Sequence, residues 1–172
     1  MVSNKKRLYI AIYPSGVRGN ETRKYHWAFL VGPKNEGDGE VPGHRYHVRN
    51  PGGTWIYEDV SLRNVKSTIN LLARVLIAKI TDEKRLLEIF RSTPVVQNDP
   101  NFSCRTWLVD ALSRISADGK AVGTAVLEWE KIEKSARSYV EEKTATGRYG
   151  AGVDMTAAKP VWDLLEQQEI MP

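Results

Sequence analysis

The chain of 172 residues is poor in the groups that usually announce a function: it has one cysteine and three histidines. One cysteine cannot close an internal disulfide or supply the thiolates of a zinc site, which excludes a disulfide-stapled secreted domain. Nowhere does an apolar stretch approach the ~20 residues that a membrane span needs. The run Leu8-Tyr9-Ile10-Ala11-Ile12-Tyr13, behind Lys5, Lys6 and Arg7, is too short for a secretory signal and reads as a first β-strand. A cytoplasmic protein without a membrane span is expected. Charge of one sign is also scarce, the formal net charge being only +4. Lys131, Lys134 and Arg137 interleave with Glu128, Glu130 and Glu133, the pattern of a solvated helix face. With no nucleic-acid motif present, no specific nucleic-acid partner is expected.

What is there suits a folded domain. The apolar fraction is 41% and the charged fraction 27%, ordinary values for a globular protein. Residues 7–13 and 25–32 read as strands, separated by Pro14-Ser15-Gly16 and a polar loop. In the second strand His26, Ala28 and Leu30 share one face, and Trp27, Phe29 and Val31 the other. After a glycine-rich mobile connection over 33–43, residues 44–49 and 54–60 read as two more strands around Asn50-Pro51-Gly52-Gly53. The second half is expected to be helical. Val65, Ile69, Leu72, Val75, Leu76 and Ile80 recur at spacings of three and four, which predicts a helix over 62–80. Thr81 is the expected N-cap of a following helix that ends at Pro94. Another helix starts at Cys104 and stops at Asp118-Gly119, and one more spans 124–144. Residues 145–160 read as a linker and 161–168 as a short closing helix.

Cys104 is the residue with the most chemistry to offer. A thiol is nucleophilic as thiolate, and its ordinary pKa of about 8.5 falls at a helix N-terminus or beside an imidazolium. The unpaired amides of the first helical turn could also hold an oxyanion. A histidine on a neighbouring strand could accept the thiol proton, and a polar group one strand further on could fix that imidazole's tautomer. His26 and His47 are candidates for these two places, with His44 as an alternative to His47. Zinc ligation by His44, His47 and Asp59 is not expected, because positions i and i+3 of a strand point to opposite faces. Most of the five tryptophans are expected in core and interfaces. Trp27 and Trp107 flank the candidate residues and are the expected substrate-lining pair. Arg105 and Asp110 are given no chemistry.

The run His26-Trp27-Ala28-Phe29-Leu30-Val31-Gly32 resembles the His-Trp-Ala strand of lecithin:retinol acyltransferase-like proteins, in the circularly permuted, NlpC-type branch of the papain-like fold. The order His26, His47, Cys104 follows that branch, and Asn101-Phe102-Ser103-Cys104 with its helix is similar to the family's nucleophile segment. The chain is also similar to uncharacterised fungal proteins that pair a His-Trp-Ala strand with a Tyr-His-Val strand, here Tyr46-His47-Val48. The resemblance spans about residues 7–115 and implies Cys104 as nucleophile, His26 as general base and His47 as orienting group. Here Ser103, not asparagine, precedes the cysteine, and the tail Glu166 to Pro172 carries no hydrophobic anchor.

The expected protein is therefore α+β and permuted papain-like, with a small antiparallel sheet packed against a helical half. One domain would cover 1–144, with a linker and short helix over 145–172. The expected activity is thiol-dependent hydrolysis or acyl transfer at an amide or ester carbonyl, an amide ahead of a lipid ester, without a cofactor. The alternative is a binding or regulatory protein that keeps the fold and lacks the reaction.

Overall fold

The computed structural model describes residues 5–172. It is α+β, a sheet of eight strands with three α-helices. The strands are β1 (Lys6–Pro14), β2 (Tyr25–Pro33), β3 (Gly43–Arg49), β4 (Ile56–Leu62), β5 (Ala73–Ile80), β6 (Val122–Ala125), β7 (Val161–Asp163) and β8 (Gln168–Met171). The helices are α1 (Glu83–Ser92), α2 (Cys104–Asp118) and α3 (Trp129–Ala145). The order across the sheet is β4-β3-β2-β1-β5-β7-β8, with β6 paired to β5. The sheet is thus larger than expected, and the β5–β7 pairing is parallel.

Strand alternation sorts the side chains into two layers. Leu8, Ile10 and Ile12 of β1 and Trp27, Phe29 and Val31 of β2 join one core with Phe90 of α1, Trp107 and Leu108 of α2 and Ile132 of α3. The opposite set, Tyr9, Ala11 and Tyr13 with Ala28 and Leu30, forms a second core with Leu71, Leu76 and Val161. Helices therefore cover one face of the sheet. Chain segments flanking the strands cover the other, and there Arg74, fully buried, pairs with Glu36 through contacts of 2.5 and 2.9 Å. Gly43, at the start of β3, is a packing requirement: a Cβ there would collide with Val65 Cγ1 and lie 2.5 Å from the Val31 carbonyl oxygen.

The helix expected over 62–80 is absent. Residues 73–80 are strand β5, paired with β1, β6 and β7. Six of its residues, Ala73 to Ala78, are buried in succession. A strand covered on both faces loses the alternation that would mark it, and its apolar run then matches helical spacing by accident. Ile69, expected in the core of that helix, is 88% exposed. The N-cap of α1 is Asp82 rather than Thr81, its side chain accepting from the Arg85 amide. Residues 122–125 are β6, so α3 begins only at Trp129. The tail read as linker and short helix contains β7 and β8, which extend the sheet beyond β5.

The aromatic contact between sheet and helices gives a stability prediction. Phe29 is fully buried, stacked on Phe90 with centroids 4.7 Å apart and edge-on to Trp107 at 5.9 Å. Phe29→Ala should destabilise the fold by about 3–5 kcal/mol, read as a lowered denaturation midpoint with an unchanged slope. A loss below about 1 kcal/mol would contradict this packing.

Candidate active site

β2 and β3 pair only from Phe29↔Tyr46 to Val31↔His44. Continuing that register would set Ala28 opposite His47, making His26 and His47 diagonal neighbours on one face of the sheet. Their side chains meet there, with His26 Nε2 2.7 Å from His47 Nδ1. On the other side of β3, His47 lies directly across from Glu58 of β4, and His47 Nε2 is 3.1 Å from Glu58 Oε1. Arg49 Nε donates to the other carboxylate oxygen at 2.6 Å. Three adjacent strands thus carry a continuous hydrogen-bonded chain, Glu58–His47–His26.

This chain determines the tautomers. An ionised carboxylate only accepts, so His47 Nε2–H donates to Glu58. Neutral His47 then has a lone pair at Nδ1, and His26 Nε2–H must donate to it. Neutral His26 is left with its lone pair at Nδ1, which has no hydrogen-bond partner among the described residues. Burial would push the Glu58 carboxyl up, but hydrogen bonds from Arg49 and His47 outweigh it and hold Glu58 below its ordinary value. Burial lowers both imidazoles. His26 is held down to about 3 by burial, the neighbouring His47 and Arg45, and His47 is lowered by burial despite its bond to Glu58. Both rings are neutral near pH 7.

Cys104 reaches the same place from the helical layer. It is the first residue of α2, whose N-cap is Ser103. Ser103 and Thr106 form a reciprocal capping box: the Ser103 amide donates to Thr106 Oγ1 at 2.8 Å and the Thr106 amide to Ser103 Oγ. That occupies the third amide of the helix and leaves the first two, on Cys104 and Arg105, near the sulfur. The amides of Trp27, Arg105 and Cys104 itself favour the thiolate, yet burial outweighs them and pushes the thiol above its ordinary value. The lowered thiol pKa expected from helix position alone is therefore corrected: desolvation of the charged form dominates. The resting pair is neutral thiol and neutral imidazole. No hydrogen bond joins Sγ to either imidazole among the described residues.

Cys104, His26 and His47 line one cleft of about 670 Å³ together with Trp55, Arg45 and Arg49. His44 is elsewhere. It lies on the same strand as His47 but points to the opposite face, bonded to Ser61 Oγ at 3.2 Å and stacked over Tyr46. The expected substrate-lining role of Trp27 and Trp107 is not met. Trp27 is fully buried and Trp107 1% exposed, and neither lines the cleft. Trp27 occupies the helix-facing side of β2, edge-on to Trp129 at 5.0 Å, and Trp107 Nε1 donates to the Thr93 carbonyl. Trp55 stands in the cleft in their place. Glu58 is not singled out by the sequence, although the hairpin around residues 50–53 is a usable signal for its pairing with His47. Arg105 ties two helices together, gripping Glu133 of α3 through bonds of 2.8 and 2.7 Å. Among the described residues no group of three or more His, Cys, Asp or Glu side chains is placed to hold a metal ion, and no helix is long and apolar enough to cross a membrane.

Residues 5–171 match a family model described as a family of unknown function, DUF6914. No curated protein and no solved structure matches the chain.

The depressed His26 makes stability depend on pH. Unfolded histidine titrates near about 6.5. Between there and about 3 the unfolded chain binds a proton that the folded one refuses. Stability is thus complete above about pH 6.5 and declines steadily as pH falls toward about 3. The melting temperature should fall through this window, and His26→Gln should flatten part of the slope. An identical slope in the variant would contradict the buried neutral imidazole.

Proposed function

The chain belongs to the DUF6914 family, and we propose, from its own geometry, that it is a cysteine hydrolase or acyltransferase of permuted papain-like type. The observation that carries this reading is the Glu58–His47–His26 chain ending in a free imidazole lone pair, in the same cleft as a cysteine at a helix N-terminus. Each part has the chemistry its place requires. His26 Nδ1 accepts the Cys104 proton as Sγ attacks a carbonyl carbon. The resulting imidazolium is stabilised through His47 by the Glu58 carboxylate. The Cys104 and Arg105 amides, at the positive end of α2, are placed to receive the developing oxyanion. The tetrahedral intermediate collapses, His26 returns the proton to the leaving amine or alcohol, and the acyl group remains on Cys104 as a thioester. Water or another acceptor, deprotonated by His26, then attacks the thioester, and Sγ leaves and takes the proton back. A neutral resting pair makes the proton transfer part of the attack rather than a step completed beforehand.

The substrate on this reading is an amide or an ester, and the protein works in the cytoplasm, where its single thiol stays reduced. One observation favours the alternative of a non-catalytic binding protein: burial holds the thiol in its unreactive form. The two separate on acylation. With p-nitrophenyl acetate in excess, intact-mass spectrometry should find one acetyl group on Cys104, none in Cys104→Ala, and acylation about 10²–10⁴-fold slower in His26→Ala. Equal acylation of wild type and His26→Ala would sink the general-base role, and an unmodified Cys104 would favour the binding protein.

A second variant tests the orienting chain. Glu58→Leu should slow acylation by about tenfold or more, and nitrogen-resolved NMR of the His26 ring should show the proton no longer confined to Nε2. An unchanged tautomer with unchanged rate would remove Glu58 from the mechanism.

A further inference from the structure

The side chains lining the cleft carry charge of one sign only. Arg23, Arg45, Arg49 and Arg105 line it, and no aspartate or glutamate does. Three of these guanidinium groups are engaged. Arg49 bonds Glu58, Arg105 bonds Glu133 on two nitrogens, and Arg23 donates to the Pro100 carbonyl at 2.9 Å. Arg45 differs. It has no carboxylate partner among the described residues, and its Nε is buried without a hydrogen bond. Its contacts are a long one of 3.5 Å from Nη1 to the Tyr13 hydroxyl and a position over the Tyr13 ring, 5.6 Å from the centroid. A guanidinium whose buried Nε has no acceptor and whose Nη1 has only a long one is costly to keep, because the hydration lost at Nε is not replaced.

Its place in the sheet makes it useful. Arg45 lies two residues before His47 on β3, so both side chains leave the same face, and Tyr13, on which it packs, is the cross-strand partner of His26. Its donors therefore stand beside the imidazole chain, inside the cleft that holds Cys104. We propose that Arg45 anchors an anion subsite, and that the acyl compound taken by this cleft carries a carboxylate or a phosphate near its reacting carbonyl. A planar guanidinium presents a fork of donors that either group can accept from in pairs. The second uncompensated cation, Arg23, lies on the cleft wall and adds to the field without the buried donor. That the bound anion is a substrate rests on the acyl-transfer reading. The subsite itself is independent of that reading.

The two are tested apart. Full-length Cys104→Ala protein, which has no nucleophile, is titrated calorimetrically with N-acetylglycine, inorganic phosphate and the neutral N-acetylglycinamide. At least one anion should bind about tenfold or more tightly than the amide, and replacing Arg45 by Gln in the same background should weaken that anion by about tenfold or more. Which anion binds identifies carboxylate or phosphate as the favoured group. Arg45→Met, which keeps an apolar stem against Tyr13, is measured in parallel, so that a folding defect in one variant leaves the other to decide. Anion affinity unchanged by loss of the Arg45 charge, equal binding of the neutral amide, or no binding of either anion overturns the subsite. Failure to acylate Cys104 would overturn the enzymatic reading alone.

Discussion

Phe29 on β2 meets Trp107 on α2 edge-on, and Phe90 of α1 stacks against Phe29 from the same layer. These contacts decide where α2 sits, and so where Cys104 sits. Aromatic pairs add about 0.5–1.5 kcal/mol each beyond the area they bury, and their geometry is specific. Because the rings occupy the helix-facing side of β2, His26, a strand position of opposite parity, faces the other way. The helix N-terminus and the imidazole thus approach the same cleft from two layers of the fold, and the Trp27 amide favours the Cys104 thiolate. Trp27 and Trp107 are committed to this seating, which is why neither is free to line the cleft.

The electrostatics follow from burial more than from pairing. Desolvation lowers both imidazoles and raises the thiol, so all three groups are neutral when the site is at rest. The permanent charges nearby are Glu58, held ionised by Arg49 and His47, and the cleft arginines. A neutral base backed by a charged carboxylate two residues away through hydrogen bonds can accept a proton and be stabilised afterwards. Burial keeps both imidazoles neutral beforehand, and the Arg45 charge adds to it.

Much of the site was legible in the chain. Two-residue alternation placed His26 and Trp27 on opposite faces of one strand, and the periodic apolar residues after Cys104 placed the thiol at a helix start. The first four strands were legible for the same reason, each being bounded by turn residues. β5 was not, because a strand buried on both faces carries no alternation, and Val75, Leu76 and Ile80 happen to fit a helical spacing. β7 and β8 were hidden by their shortness, and β7 also by its parallel partner β5, far away in sequence. Glu58 was within reach but required the register of β3 with β4, which no single residue declares.

By itself the sequence determined the local choices of its first four strands, the start of the Cys104 helix, and that a single thiol and few imidazoles are available. These depend on interactions within a few residues, so they survive in the chain as pattern. The tertiary structure alone decided which histidine faces the cleft, that Glu58 backs it, that the thiol is raised rather than lowered, and that Arg45 stands unpaired beside the imidazoles. Those properties come from strand register and from the depth of burial, and both are set by partners distant in the chain.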